Sequence, residues 1–499
     1  MSEPNQPIGP RPPVTLLTKM FYGLGSVAFG IKDNGYRVFL LLFYNQVVGL
    51  DPLKVAFAIS LALIIDCVID PIVGEFSDNL SSRWGRRHPL MYASALPVAL
   101  SFLLLWNPPM DWGEDALFWY LVAVAVIGRS FITLYEIPSS SLSAELTEDY
   151  DQRSSILGWR YFFAWWGGLT LTVMMFWFFL APTAQYPNGQ LNPEGYKTYG
   201  YIGAVLMFVS IIASAAGTHR FIPWLRRAPV AATRTVVQTL VQMKDTLSNR
   251  NFVIITLVGL FAAVAQGISF SLGAYIATYF WGLSAFWTGF LVLDSFISSS
   301  IALVAAPMMS KRSGKKFAGT VLLALAVFTG FVPLILRLLG LFPDNGDMIG
   351  QTKIPEIVPW LFLDGVIRGV FGITASILIT AMLADVVEDS EVKTGRRSEG
   401  LFFAFTSLVQ KAVGGVGAIG AGLILTVIAF PRAAKPGEVE PEIIVNLALV
   451  YMPVLALLYG IALAIMQAYN ISREGHMENL RILADRTAEM EGGTTPQIP

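Results

Sequence analysis

Residues 63–79 read LIIDCVIDPIVGEFSDN, an apolar run that nonetheless holds Asp66 and Asp70. On the mildest scales a charge at the centre of a bilayer costs at least ~2.5–3.5 kcal/mol. In a helix the two acids are i and i+4, so they share one face. Two anions that close repel, and either one takes up a proton or a cation sits between them. Carboxylate oxygens suit both. Asp66 and Asp70 are therefore a candidate cation site, with sodium as the candidate metal and a proton as the alternative.

A second group could hold a solute. Glu136 lies in ITLYEIPSSS, where Pro138 can release a backbone carbonyl and three serines add hydroxyls. Arg160 lies in GWRYFFAWWGG, among aromatic rings. Planar groups that fork-bond hydroxyls, with rings to cover apolar faces, suit a polyhydroxylated ligand. Lys411, in TSLVQKAVGG, is the candidate counter-charge to the acid pair when no cation is bound. The glycines around it, from Gly414 to Gly422, read as ordinary close helix packing. Further ionisable residues fall inside apolar segments: Lys32, Asp33, Arg37, Arg129, Asp294, Arg337, Asp364 and Arg368. At membrane depth such groups usually face a cavity and pair with one another.

The elements that position these groups are transmembrane helices. The chain has 499 residues, 54% apolar and only 14% charged, which is outside the range of ordinary soluble proteins. Many windows of about 20 residues carry almost no charge, the length a helix needs to cross the hydrocarbon. The alternating short segments of a β-barrel are missing. The lipid bilayer is thus one partner, while 34 basic against 35 acidic residues imply no nucleic acid. One cysteine, Cys67, excludes an intrachain disulfide and a thiol metal cluster. The polar, Pro-rich start MSEPNQPIGPRPPV lacks a leader's layout, so the first span is expected to direct insertion. No catalytic constellation stands out: the three histidines lie at or outside span ends, no HExxH is present, and no Gly brackets a Ser in DSFISSS. The chain does not read as an enzyme, and no cofactor is expected.

Hydropathy and turn chemistry predict an all-α membrane protein of twelve spans: 16–46, 53–80, 88–107, 115–140, 153–181, 198–222, 251–282, 285–310, 316–341, 355–385, 398–430 and 442–470. This divides the chain into a polar tail (1–15), a six-helix bundle (16–222), a basic linker (223–250), a second six-helix bundle (251–470) and a C-terminal tail (471–499). Twenty Lys and Arg fall on one side of this topology, and five, Lys54, Lys197, Lys353, Arg432 and Lys435, on the other. The positive-inside rule then places both termini in the cytoplasm. The halves repeat. AELTED (144–149) matches ADVVED (384–389), and FFA (162–164) matches FFA (402–404), both with an offset of 240. RWGRRHP (83–89) has an echo in KRSGKKF (311–317), after the second helix of the second half. Transporters built from such parallel repeats bind their solute between the halves near the midplane, and rock.

These residues resemble a known family. The sequence D-x-x-x-D-P-x-x-G with R-W-G-R-R-x-P downstream (66–89), and ADVVEDSEVKTGRRSEG (384–400) followed by Lys411, are similar to signatures of the major facilitator superfamily. Within it the chain resembles the glycoside–pentoside–hexuronide:cation symporters, the group of the melibiose permeases, over residues 20–470. The resemblance implies cation-coupled symport of a sugar or glycoside by alternating access, with Na+ or H+ as the coupling ion. It implies a multi-pass protein of a cell membrane, the inner membrane in bacteria, acting as a monomer. It implies that Asp66, Asp70 and Thr133 hold the cation, that Lys411 neighbours them, and that Lys32, Asp33, Glu136 and Arg160 hold the solute. Asp78, Arg83, Arg86 and Arg87 fit the superfamily's cytoplasmic gating signature. The chain departs from the sugar carriers where they hold Asp (here Glu136) and Trp (here Ser140), and where they hold an Asn and an Arg near the acid pair (here Ile69 and Leu63). Related branches carry lysolipids or sucrose, so a lysolipid or other amphiphile is the alternative cargo; a non-transporting membrane sensor is the third reading.

Overall fold

The structure, a computed structural model, describes residues 12–225, 249–394 and 399–471 except 148 and 188, with parts of 475–485; the side chains of 393–412 are outside that description. Among the described residues every regular element is a helix, apart from a lone bridge between Met348 and Pro355 in a loop.

The first segment consists of α1 (Leu16–Leu24), α2 (Ser26–Asn34) and the short α3 (Leu40–Leu42), linked by π-helical turns at Gly35–Phe39 and Phe43–Val47. It is followed by α4 (Pro52–Asn79), α5 (His88–Leu105), α6 (Glu114–Leu146), α7 (Tyr150–Met174) and α8 (Pro193–Thr218). After the linker come α9 (Arg250–Tyr275), α10 (Ala285–Leu291), α11 (Asp294–Ser313), α12 (Lys315–Leu338), α13 (Ile357–Thr394), α14 (Glu399–Val427) and α15 (Pro441–Gln467). Local chemistry starts several of them. The Asp51 carboxylate accepts from the backbone N–H of Leu53 (2.9 Å) and Lys54 (3.2 Å), with Pro52 in the first turn. Asp149 caps α7 and Asn192 caps α8 in the same way.

Among the described residues ten helical spans are long and apolar enough to cross a membrane. The first segment, interrupted at Gly25 and by its π turns, and the 29-residue α14 complete the twelve expected. Two boundaries differ from the sequence expectation. The span at 285–310 is split by a turn at 292–293 into α10 and α11. The span expected to end at 385 continues to Thr394, because nothing in ADVVEDSEVKT breaks a helix and its acids find partners. Lys315 Nζ lies 2.5 Å from Asp385 Oδ1, and Asn249 donates to Asp389 at 3.5 Å.

The chain forms two compact units. Unit 1 takes Met1–Thr233 with Gly267–Phe290 and Gly414–Leu447; unit 2 takes the remainder of the second half. In unit 1, α2 lies along α7, α4 along α6, and α5 between α6 and α8. In unit 2, α13 packs on both α11 and α12.

Lipid is as apolar as leucine, so close fit rather than water exclusion must hold these helices together. Aromatic packing does this at one end of unit 1. Trp106 stacks on Tyr196 at 5.9 Å between ring centroids, Phe43 lies 4.5 Å from Tyr196, and Tyr44 donates to the Leu105 carbonyl at 2.8 Å. In unit 2 a mainly aliphatic cluster fills the equivalent role, with Val258, Met382, Val386 and Met466 packed around Phe252. Large side chains such as Trp119, Phe178, Leu303 and Phe328 point outward, more than 60% exposed, as a lipid-facing surface requires.

Gly30 is the tightest helix crossing built on backbone. A Cβ there would lie 2.0 Å from the Ala164 carbonyl oxygen, and one on Gly168 would lie 2.7 Å from the Gly30 carbonyl oxygen. Neither backbone can yield locally. Gly30→Ala should therefore lower the melting temperature of the purified protein, at a cost of about 1–3 kcal/mol from overpacking. Gly158→Ala, on the same α7 but with nothing within 4 Å, should be neutral or stabilising. Equal melting temperatures for the two variants would contradict the crossing.

Candidate functional site

The pairing of α4 with α6 sets the acid pair against two residues of one α6 face, Arg129 and Thr133. Asp66 is 3% exposed. Its carboxylate accepts from Arg129 Nη2 at 2.8 Å and from the Thr133 hydroxyl at 2.8 Å. Thr133 Oγ1 also lies 3.1 Å from Asp70 Oδ1. A hydroxyl carries one proton and cannot donate fully to two carboxylates. The geometry thus places three oxygen-bearing groups, two carboxylates and one hydroxyl, within one small site. Pro71, which lacks an N–H, follows Asp70 directly and loosens α4 at that turn.

Sequence reasoning brought Asp66, Asp70 and Thr133 to one site, and the structure brings them together. It did not single out Arg129. The signal was available: Arg129, Thr133 and Glu136 recur at intervals of four and three and so form a stripe on α6. Lys411 belongs to α14, but its side chain lies outside the described residues.

The expected solute-binding residues come from α2, α6 and α7. Lys32 is 5% exposed; its ammonium lies 4.0 Å from Asp33 and 4.4 Å from the centroid of Phe29. Asp33 in turn meets Arg37 Nε at 3.2 Å, and Arg37 faces the ring of Phe270 at 5.7 Å. Arg160 donates to the Ser139 hydroxyl at 3.0 Å, and Tyr22 donates to the Ser139 carbonyl at 2.9 Å. That carbonyl and hydroxyl follow Pro138, which lies inside α6. Glu136 is half-buried, sits within electrostatic reach of Lys32 and Arg160, and makes no hydrogen bond or ion pair among the described residues. An accessible carboxylate flanked by two cations is suited to accept from hydroxyl groups of a ligand.

A different cluster joins the charged ends of α4, α5 and α6. Arg87 meets Asp78 at 2.5 Å and donates to Ser77 at 2.8 Å. Arg86 and Arg87 both reach Glu145, at 2.7 and 3.2 Å. Arg83, expected in this group, instead lies exposed over the ring of Trp84 at 5.7 Å, with no carboxylate partner among the described residues. Glu145 had gone unassigned, although it opens the repeated AELTED motif. The repeat also extends to the bonding. Arg87 in RWGRRHP corresponds to Lys315 in KRSGKKF, and Glu145 to Asp385. Unit 1 thus holds Arg87–Glu145 and unit 2 holds Lys315–Asp385, the same ion pair in each copy.

Unit 1 also contains a polar clamp at its other end, made by segments distant in sequence. Tyr275 donates to Asn45 at 2.8 Å, and Tyr279 to the Ala434 carbonyl at 2.8 Å. Gln190 bonds Thr278 and donates to the Leu283 carbonyl and Thr288. Arg432 meets Asp51 at 2.6 Å and Glu114 at 3.3 Å, and Lys54 meets Glu114 and Asp115. Gly415 and Gly422 let α14 touch α4: the Ser60 hydroxyl donates to the Gly415 carbonyl at 2.6 Å.

A model of the family described as MFS/sugar transport protein matches residues 21–473. The chain belongs to the MFS/sugar transport protein family. An uncharacterised symporter of Synechocystis is 26% identical, over 92% of this chain and 95% of its own. The isoprimeverose transporter of Lactiplantibacillus pentosus is 24% identical, over 81% of this chain and 79% of its own. Among solved structures, a D-xylose–proton symporter superposes with a TM-score of 0.59 at 14% identity, covering 91% of this chain and 97% of the other. The chain is an all-helical, multi-pass membrane protein of that family.

Glu145 is buried and serves two arginines, so its removal should leave both with the more exposed Asp78 as their shared carboxylate. Glu145→Ala should destabilise the protein by about 3–5 kcal/mol, the range for breaking a buried pair. Arg83→Ala should shift stability by no more than ~0.5 kcal/mol, as for a surface residue. Thermal unfolding in one detergent compares the two; a Glu145→Ala protein as stable as Arg83→Ala would remove the cluster's structural role.

Proposed function

We propose that this protein is a secondary active carrier, not an enzyme, which couples the entry of a sugar or glycoside to that of a cation, Na+ or H+. The observation that carries this is the acid pair, Asp66 buried and Asp70 half-buried, bridged by one hydroxyl, next to a half-buried carboxylate flanked by Lys32 and Arg160. The first is an ion-coupling arrangement. The second is suited to hydroxyl-rich ligands. The names of the relatives, which include an isoprimeverose transporter and a D-xylose–proton symporter, support the same class.

In this reading Asp66, Asp70 and Thr133 take the cation, with Lys411 as the counter-charge of the empty state. Lys32, Asp33, Glu136 and Arg160 take the solute. The two six-helix halves, 16–222 and 251–470, alternate about that site. Binding of both ligands balances the buried charge, which lowers the barrier to reorientation. The termini and the Asp78–Arg86–Arg87–Glu145 cluster lie on the cytoplasmic side by the distribution of Lys and Arg. The clamp of Tyr275, Tyr279, Gln190 and Arg432 then lies on the outer side and must break for the site to open there. The membrane potential supplies ~2.3 kcal/mol per charge per 100 mV, roughly fifty-fold accumulation for one coupled cation.

Uptake of labelled pentosides and hexosides into proteoliposomes, under imposed sodium or proton gradients, tests this. Wild type should accumulate at least one of them above equilibrium. Asp70→Asn should abolish accumulation. Glu136→Gln should raise the KM at least tenfold, the value of one lost charge-assisted hydrogen bond of ~1.5–3 kcal/mol. Undiminished accumulation in Asp70→Asn would rule out coupling at the pair, and an unchanged KM in Glu136→Gln would remove that residue from the solute site.

A further inference from the structure

The carboxylate pair already has a cation beside it. Arg129 Nη2 donates to Asp66 Oδ2 at 2.8 Å, with both side chains under 10% exposed. A guanidinium keeps its charge at any pH a protein survives. Lys32, buried one helix away on α2, interacts electrostatically with the same Arg129 and Asp66. In unit 1 the intramembrane acids Asp33, Asp66, Asp70 and Glu136 are matched by Lys32, Arg37, Arg129 and Arg160.

The tether that holds Arg129 is also incomplete. It reaches Asp66 through one nitrogen, and its Nε is buried with no hydrogen-bond partner among the described residues. The face of the guanidinium lies 5.6 Å from the ring centroid of Tyr36. Tyr36 sits in the π-helical turn 35–39 and is fixed by its bond to the Ala125 carbonyl at 3.3 Å. A cation can rest against such a ring when it leaves a carboxylate. Arg129 thus has one weak anchor and one fallback within reach.

We infer that Arg129 is a specificity-determining residue of this carrier: its guanidinium stands where an alkali cation would bind Asp66, and it holds sodium out of the carboxylate pair. A sodium ion needs several oxygens at once, and the guanidinium occupies one of them while repelling the ion. Removal of Arg129 withdraws the positive charge that donates to Asp66 Oδ2 and opens that oxygen to an alkali cation. The inference rests on the reading of Asp66 and Asp70 as the coupling site, but its test reads ion binding rather than transport. Failure of solute uptake would therefore count against the proposed function alone.

The test is thermal unfolding of the purified full-length protein, titrated with NaCl against choline chloride at constant ionic strength. Four proteins are compared: wild type, Arg129→Lys, Arg129→Gln and the double variant Arg129→Gln/Asp66→Asn. Wild type and Arg129→Lys should show no sodium-specific shift below about 100 mM. Arg129→Gln should be stabilised by sodium, half-maximally at a concentration at least tenfold lower than any wild-type response. The double variant, which removes the Asp66 charge together with that of Arg129, should fold and lose that response. A sodium-specific shift of wild type at low millimolar NaCl would overturn the proposal by itself, even if Arg129→Gln cannot be purified. So would an Arg129→Gln protein that responds to sodium no better than wild type.

Discussion

The arrangement of unit 1 depends on compensating a carboxylate that is almost wholly withdrawn from water. Asp66 is 3% exposed inside a helix with apolar neighbours on most sides. An isolated charge there would cost several kcal/mol after relaxation. Arg129 and Thr133 supply the compensation, and both come from α6 at one-turn spacing. The register of α4 against α6 is therefore fixed by polar bonds at this point. A slide of one residue would rotate Arg129 away from Asp66. The other site groups hang from the same two helices: Asp70 one turn below Asp66, and Glu136 with Ser139 one to two turns beyond Thr133.

Around that polar centre the helices are held by shape. Glycines at Gly30 and Gly168 bring α2 onto α7, which places Lys32 and Asp33 on the helix that meets the one carrying Arg160. Gly415 and Gly422 bring α14 against α4 near Ser60 and Ala56. The stacked rings of Trp106, Tyr196, Phe43 and Phe39 fill one end of the unit. Packing of this kind tolerates little volume change, so each polar group keeps its place relative to the others. The π-helical turns at 35–39 and 43–47 lie beside Lys32 and Asp33, where extra backbone per turn re-aims side chains without ending the helix.

The internal repeat is visible as chemistry as well as sequence. Each copy ends its second helix in a basic loop and its fourth in an acidic run. Each joins the two by a buried or half-buried ion pair, Arg87–Glu145 in one unit and Lys315–Asp385 in the other. In the first copy the pair has grown into a network with Asp78, Arg86 and Ser77. The second copy is simpler: a lysine offers a single point of charge where an arginine offers a planar fork.

The sequence by itself determined the class, the spans and the acid pair. Uninterrupted apolar runs can only be membrane helices, since no other element satisfies its backbone in lipid. Two acids at i, i+4 in such a run must meet a compensating group. Their spacing, with Glu136 and Arg160 elsewhere, was enough to mark a site. Helix ends were less legible. α13 runs nine residues beyond its apolar stretch because a helix without a breaker continues wherever its acids find partners. What only the tertiary structure decided was which charge answers which. Arg129 and Lys32 are equally basic residues in apolar segments, yet one lies 2.8 Å from Asp66 and the other beside Asp33. Glu145 is an ordinary surface-type residue in a polar motif, yet it is buried between two arginines. Such pairings depend on helix register and rotation across contacts between residues 60 or so apart in the chain, and periodicity within one helix carries no information about them.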